Sequence, residues 1–271
     1  MLKKIEISKI TAQKNIDKFI CPKCKKSFRL ENNSFVCENG HCFDISKKGT
    51  VNFLCGKSNE NYSGELFEAR KKIILSGFYS PLISELDNLI KGASILDVGC
   101  GEGSFSKLLE KENRMFFGID IAKEGINAAS EYTGNFFAVA DLANLPFKNN
   151  SFDTILDIFS PSNYAEFKRV LKNDGILIKI IPNNGYLKEL REFFNINTDY
   201  DNTPVIEIFK NHFEIAEQKN IKYKTFVTDE NLPDLLEMTP LMWNMQNKNG
   251  FDKNEITVDV TVIAGKKIQV S

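Results

Sequence analysis

The chain has 271 residues, 42% of them apolar, with a net charge of −1, enough for one large domain and a small one. No apolar run approaches the roughly 18–20 residues of a membrane span, and the N-terminus lacks the apolar stretch and cleavage site of a signal peptide. These exclusions lead us to expect a cytoplasmic protein with no membrane partner. The near-zero charge hides an asymmetry. Residues 1–57 hold 12 Lys/Arg against 5 Asp/Glu, whereas 58–271 hold 23 against 31. Such a split suggests a basic module that meets a polyanion, joined to an acidic body. The plainer reading is a Lys-rich solvated surface.

In chain order, residues 1–18 read as a helical arm. Residues 19–55 contain Cys21, Cys24, Cys37 and His41, spaced C-x2-C-x12-C-x3-H. Two close thiols on a tight turn and a second pair a dozen residues on supply the donors of a structural Zn²⁺ site. Cys42, beside His41, is an alternative donor, but the spacing favours His41. Phe28, Leu30, Phe35 and Val36 alternate around the polar turn 31–34, as in a short hairpin. A module this small needs a metal to fold. The polar stretch 56–63 reads as a linker, followed by helices at about 64–75 and 82–91, broken by 77–81.

From residue 94 onward, strands and helices alternate. Strands are expected at 94–98, 115–119, 136–139, 152–158 and 175–181, with helices at 104–111, 123–132 and 163–171. That order means βαβ units and a parallel sheet. Alternation over 219–229 and 256–265 suggests a closing antiparallel hairpin. The expected fold is α/β: a Rossmann-type domain at 93–271, a helical linker at 58–92, and an arm with zinc-binding module at 1–57.

The first strand of that sheet ends in Asp97-Val98-Gly99-Cys100-Gly101-Glu102-Gly103. Glycines let backbone approach a ligand without a Cβ clash. The dinucleotide pattern is G-x-G-x-x-G. Here the turn is shorter and follows an acid, which would repel a diphosphate but can hydrogen-bond the amino group of a methionine moiety. The pattern therefore selects S-adenosylmethionine over a dinucleotide. Asp120, ending the second strand, can accept from both ribose hydroxyls, and Asp141, ending the third, from the adenine amino group.

With these motifs placed, the chain resembles the 23S ribosomal RNA (guanine-N1)-methyltransferases, which pair an N-terminal zinc ribbon with an S-adenosylmethionine-dependent Rossmann domain. The resemblance runs from about Phe19 to the C-terminus. It includes the four zinc donors, Phe43-Asp44, Lys48-Gly49, Val51-Asn52, Ala69-Arg70, Gly77, Tyr79, Pro81, Met238-Thr239-Pro240 and Trp243. It implies that Tyr79, Gly101 and Glu102 contact the cofactor. Tyr186 stands where a relative carries a cofactor-contacting His, and its ring could stack or donate a hydrogen bond. Phe159-Ser160-Pro161 stands where the target base should lie, so Phe159 is either pocket wall or a core aromatic at a strand end.

The function this implies is methyl transfer to N1 of a guanine in a hairpin loop of 23S ribosomal RNA. Guanine N1 carries a proton that must leave. Asp157 is the one acidic candidate to take it, against the alternative of an exposed Asp approaching a helix. Trp243 could stack on a loop base, or be buried with Met238, Met242 and Met245 in a helix over 232–246. Lys23, Lys25, Lys26 and Arg29 would hold phosphates. A homodimer is left open. Two competing functions are a small-molecule methyltransferase and an RNA-binding protein without catalysis.

Overall fold

The structure, a computed structural model, describes residues 2–56, 62–196, 201–243, 245 and 250–268. Parts of the expected linker (57–61) and of the expected 232–246 helix (244 and 246) lie outside the described residues. Among the described residues, no helix is long and apolar enough to cross a membrane.

The N-terminal part runs α1 (Lys4–Lys14), β1 (Phe28–Glu31), β2 (Ser34–Cys37), β3 (Cys42–Asp44) and β4 (Val51–Asn52). The expected hairpin is β1–β2, with Phe28 opposite Cys37, and β3 completes a small antiparallel sheet. β4 leaves that sheet and pairs parallel with β7, Val51 opposite Ala138. The ribbon is thereby fastened to the large sheet. Phe19 sits between them, with ring centroids 5.1 Å from Phe35, 4.9 Å from Phe136 and 5.2 Å from Phe147. One aromatic core therefore serves both parts, and burial of rings this large is a principal stabilising term.

The rest comprises α2 (Gly64–Leu75), α3 (Ser80–Leu89), β5 (Ser94–Val98), α4 (Ser104–Leu108), β6 (Met115–Asp120), α5 (Lys123–Ala129) and β7 (Phe136–Val139). It continues through β8 (Phe152–Ile158), α6 (Tyr164–Val170), β9 (Leu171–Pro182), α7 (Lys188–Phe193), α8 (Thr203–His212), β10 (Phe213–Phe226), α9 (Leu232–Met238) and β11 (Glu255–Lys267). The sheet order is β10-β11-β9-β8-β5-β6-β7-β4. β9, β8, β5, β6, β7 and β4 are mutually parallel, while β10 and β11 close the far edge antiparallel. All five residues of β5 are buried, as expected of a central parallel strand covered on both faces. β5 is flanked by β6 on one side and β8 on the other, so strand order reverses at its carboxyl end. Open α/β sheets bind ligands at such switch points.

Candidate active site and zinc centre

In the ribbon, the donor atoms of Cys21, Cys24, Cys37 and His41 all lie within 4.8 Å of one another. Cys24 and Cys37 sulfurs are 3.6 Å apart, and His41 Nδ1 is 3.5 Å from Cys21 Sγ and 3.4 Å from Cys37 Sγ. A tetrahedron with Zn–S bonds of about 2.3 Å has edges of about 3.7 Å, so the cluster is the size of a zinc site. Burial pushes the Cys21 thiol up to about 11. Against burial, backbone N–H groups of His41 and Asn39 instead help lower Cys37, and a bound cation would favour the thiolate form of Cys21 as well. Cys42 is exposed and points at Asp44, outside the cluster, so His41 supplies the fourth donor.

At the switch point, Gly99, Gly101 and Gly103 all have positive φ, of 67°, 55° and 77°. A Cβ on Gly99 would stand 2.6 Å from the Ser160 Cβ, so the loops after β5 and β8 touch only because this residue is glycine. Asp97 is buried and accepts from Ser106 Oγ at 2.6 Å, yet burial raises its carboxyl to about 7. Asp120, ending β6, accepts from the Gly101 N–H at 2.8 Å and the Ala122 N–H at 2.7 Å. These bonds fix a carboxylate beside the turn. Asp141 follows β7, exposed, with its Oδ1 accepting from the Ala143 N–H at 2.8 Å.

Glu102 is 1% exposed, and its Oε2 has no hydrogen-bond partner. Its nearest cation is Arg70 of α2, Nε lying 3.6 Å away. Such an orphaned buried oxygen is costly unless a ligand completes it. Burial alone would lower the Arg70 pKa, but Glu102, Tyr79, Asp120 and Tyr186 together hold it above its ordinary value. Arg70 is therefore the cation on which the site's polar groups converge. Spacing offered no role for it, because its partners stand on other elements. The signal that was available is its place one helical turn after Phe67. Both side chains lie over the glycine turn, Phe67 Cε1 at 3.4 Å and Arg70 Nη1 at 3.7 Å from where a Gly101 Cβ would be.

Three aromatic residues stand beside this cluster. The Tyr79 and Tyr186 hydroxyls are 2.6 Å apart, and the Phe159 ring is 5.9 Å from Tyr79 and 5.5 Å from Tyr186. Phe159 is half-buried and has a φ of 54°, a left-handed backbone uncommon for a bulky residue. What holds it there is Asp157, which is fully buried, not exposed as its alternative reading had it. Lys179 Nζ lies 2.8 Å from Asp157 Oδ2 and 3.2 Å from the Ser160 carbonyl. Ser160 and Ser162 hydroxyls lie 2.7 and 2.5 Å from the two carboxylate oxygens. Trp243 is 41% exposed, and it is Met242 that is buried beside it. Its indole N–H donates to the Glu237 carbonyl at 3.2 Å. Tyr62 links it to Phe67, with centroid distances of 5.7 and 6.2 Å, so an aromatic row runs from Trp243 to the glycine turn.

The expected phosphate grip is partly spent. Lys25 bonds to Asn144, Arg29 pairs with Glu31 and the Lys23 ammonium lies 5.8 Å over the Phe43 ring, which leaves Lys26.

These features define an S-adenosylmethionine-binding methyltransferase fold with an attached zinc ribbon. Residues 96–179 match the family model described as a methyltransferase domain, and residues 19–58 match the one described as the N-terminal zinc ribbon of RlmA. The fold is shared with an S-adenosylmethionine-dependent methyltransferase from Aquifex aeolicus at TM-score 0.51 and 15% identity, covering 77% of this chain and all of that one. YxjB of Bacillus subtilis, provisionally named a 23S rRNA (guanine-N(1)-)-methyltransferase, is 39% identical, over 92% of this chain and 97% of that one. The 23S rRNA (guanine(748)-N(1))-methyltransferase of Streptomyces fradiae is 27% identical, over 86% and 88%. The chain belongs to the 23S rRNA (guanine-N1)-methyltransferase family. Its cofactors are S-adenosylmethionine and a structural zinc ion.

Proposed function

We propose that this protein methylates N1 of a guanine in a hairpin loop of 23S ribosomal RNA, in the cytoplasm. The observation that carries the reading is the orphaned Glu102 carboxylate facing Arg70 beneath the Phe159–Tyr79–Tyr186 wall, in a chain similar along its length to proteins named for that reaction. S-adenosylmethionine supplies an electrophilic methyl group when bound. Glu102 and Asp97 suit the ammonium of its methionine end, and Arg70 its carboxylate. Asp120 takes the ribose hydroxyls and Asp141 the adenine amino group.

The Phe159, Tyr79 and Tyr186 side chains would orient the base toward the cofactor, and proximity would then supply much of the rate. Asp157 already serves Lys179, Ser160 and Ser162, so it acts through the Phe159 loop that it anchors. Asp157 is therefore a positioning residue and not the acceptor of the N1 proton. Trp243 stacks on a loop base at the rim. The zinc, with four protein donors, has no open position for catalysis. One chain supplies every residue in this account, and no homodimer is invoked.

The test offers the protein labelled cofactor with deproteinised 23S ribosomal RNA and, separately, with a small-molecule mixture. Methylation at N1 blocks the pairing edge of guanine, so primer extension should stop at one loop guanine. Label in small molecules alone overturns the RNA reading. No label anywhere, with RNA still bound, favours a non-catalytic binder.

A further inference from the structure

A strongly basic surface lies on α1, ahead of the residues matched as zinc ribbon. α1 packs through Ser8 and Ala12, which leaves Lys3 at its start and Lys4, Lys9 and Lys14 along it exposed. The turn 46–49 is closed by the Gly49 N–H on the Ser46 carbonyl at 2.9 Å. It rests on the first turn of α1: a Cβ on Gly49 would stand 2.9 Å from the Lys4 carbonyl oxygen and 3.2 Å from the Ser8 Cβ. Lys47 and Lys48, both exposed, therefore sit beside Lys3 and Lys4.

None of these six ammonium groups forms an ion pair among the described residues. Many lysines of the main body behave differently: Lys71, Lys72, Lys107, Lys111 and Lys172 each face a carboxylate. Lysines such as Lys91, Lys123, Lys188 and Lys210 are also exposed and outside the ion pairs, but they stand on separate elements, whereas Lys3, Lys4, Lys47 and Lys48 come together from two. This surface also adjoins the site. Glu131, bonded to Lys71, is held low by that residue and also by Lys4 and Lys48. Lys71 follows Arg70, whose guanidinium reaches the glycine turn. Lys4, Lys9 and Lys14 are five residues apart, each turned about 140° from the last around α1 with Glu6 also exposed, so the compact cluster is Lys3, Lys4, Lys47 and Lys48, and four ammonium groups from two elements suit successive phosphates of a polyanion.

We propose that the start of α1 and the 46–49 turn form the face that docks ribosomal RNA phosphates, setting the backbone of the target hairpin beside the cofactor site. This rests on the RNA reading above. It assigns the main grip to the arm, with the zinc knuckle a minor contributor.

The test uses the full chain with Lys3, Lys4, Lys47 and Lys48 all changed to Gln. A second variant carries Lys9→Gln and Lys14→Gln, and a third Lys23→Gln and Lys26→Gln. Each is titrated with a 23S ribosomal RNA hairpin fragment across a salt series, and with S-adenosylmethionine by calorimetry. At about 0.7–0.9 per lost phosphate contact, the slope of log affinity against log salt should flatten by about 3 in the first variant and by less in the second, whose lysines lie on other sides of the helix. The third should change less than the first. Cofactor affinity should stay constant in all three, which also reports a folded site. If the first variant keeps the wild-type slope, the assignment is wrong. It is equally wrong if that variant binds naked RNA normally and loses affinity only for the assembled ribosomal subunit, because the face would then meet a ribosomal protein. A wild-type protein that binds cofactor but no ribosomal RNA overturns the functional reading itself.

Discussion

The zinc cluster and the glycine turn both gather groups able to carry negative charge, and they differ in what holds those groups. In the ribbon, the Cys24 and Cys37 sulfurs are 3.6 Å apart, and backbone N–H groups of the neighbouring turns, such as His41 on Cys37 Sγ at 3.3 Å, reach the thiols with no cationic side chain among their partners. At the turn, Asp97 is held by Ser106, and Asp120 by two backbone N–H groups. The first arrangement needs its cation to exist as a structure. The second is built before its ligand arrives, with Glu102 Oε2 as its one orphan there. Metal belongs to folding in this molecule and the nucleoside cofactor to function.

Metal removal is the strongest way to break that comparison. A structural zinc is worth about 10–16 kcal/mol in small zinc modules, which is comparable with the roughly 5–15 kcal/mol that stabilises a whole domain. Cys37→Ser should lose the metal and unfold the ribbon. The damage should spread, because Phe19 and Phe35 pack on Phe136 of the large sheet. Cys55→Ser, at an exposed thiol, should stay within about 0.5 kcal/mol of wild type. Elemental analysis and thermal unfolding measure both. A metal-free protein melting at the wild-type temperature would erase the distinction.

The two regions also differ in how much of each could be read from residue order. The zinc donors are legible because their chemistry is specific and their spacing local. The parallel strands are legible because each is a short apolar run between turn residues. β4 was not, since two residues are too few for any alternation and its partner β7 is chosen by tertiary packing. α7 is too short, at six residues, for a helical period to stand out, whereas α8 carries Val205, Ile206 and Phe209 at helical spacing and was open to reading. The strand ends gave Asp97, Asp120 and Asp141, but not the Arg70–Glu102 pairing, which joins two elements. Nor could order alone bury Asp157, whose partner Lys179 stands on the neighbouring strand. Lys25 reads as a free cation until the fold brings Asn144 to it.

Sharpening the comparison means removing cofactor contacts one at a time without unfolding anything. Asp120→Ala should weaken S-adenosylmethionine by about 1.5–3 kcal/mol, roughly ten- to a hundredfold, through lost charged-acceptor hydrogen bonds. It should weaken 5′-methylthioadenosine as much, because both carry the ribose. Arg70→Met should behave otherwise. It removes the cation facing the methionine carboxylate, so S-adenosylmethionine should lose about as much while methylthioadenosine, which lacks that carboxylate, loses little. Calorimetry with both ligands decides. Equal losses in the Arg70 variant would place its guanidinium elsewhere.

The smallest effect is one of pH, and its sign follows from burial. Asp97 is raised to about 7 by desolvation, only partly offset by the Ser106 hydroxyl. In the cofactor-free protein the neutral carboxyl is therefore the favoured form below about pH 7. Its contribution to stability is complete below about pH 4, the unfolded value, and is lost as pH rises through about 7. Binding an ammonium group beside it reverses the preference, because the ionised form then gains a partner. Below pH 7 the cofactor must expel a proton to bind. Affinity should fall by up to about tenfold from pH 8 to pH 6, and calorimetry in buffers of different ionisation enthalpy should detect proton release near neutrality. Asp97→Asn should flatten the profile. Methylthioadenosine, without the ammonium, should show no such slope even with wild-type protein. The same profile for both ligands would mean that the carboxyl titrating near 7 does not face the methionine end, and the pose of the cofactor along the turn would have to be reversed.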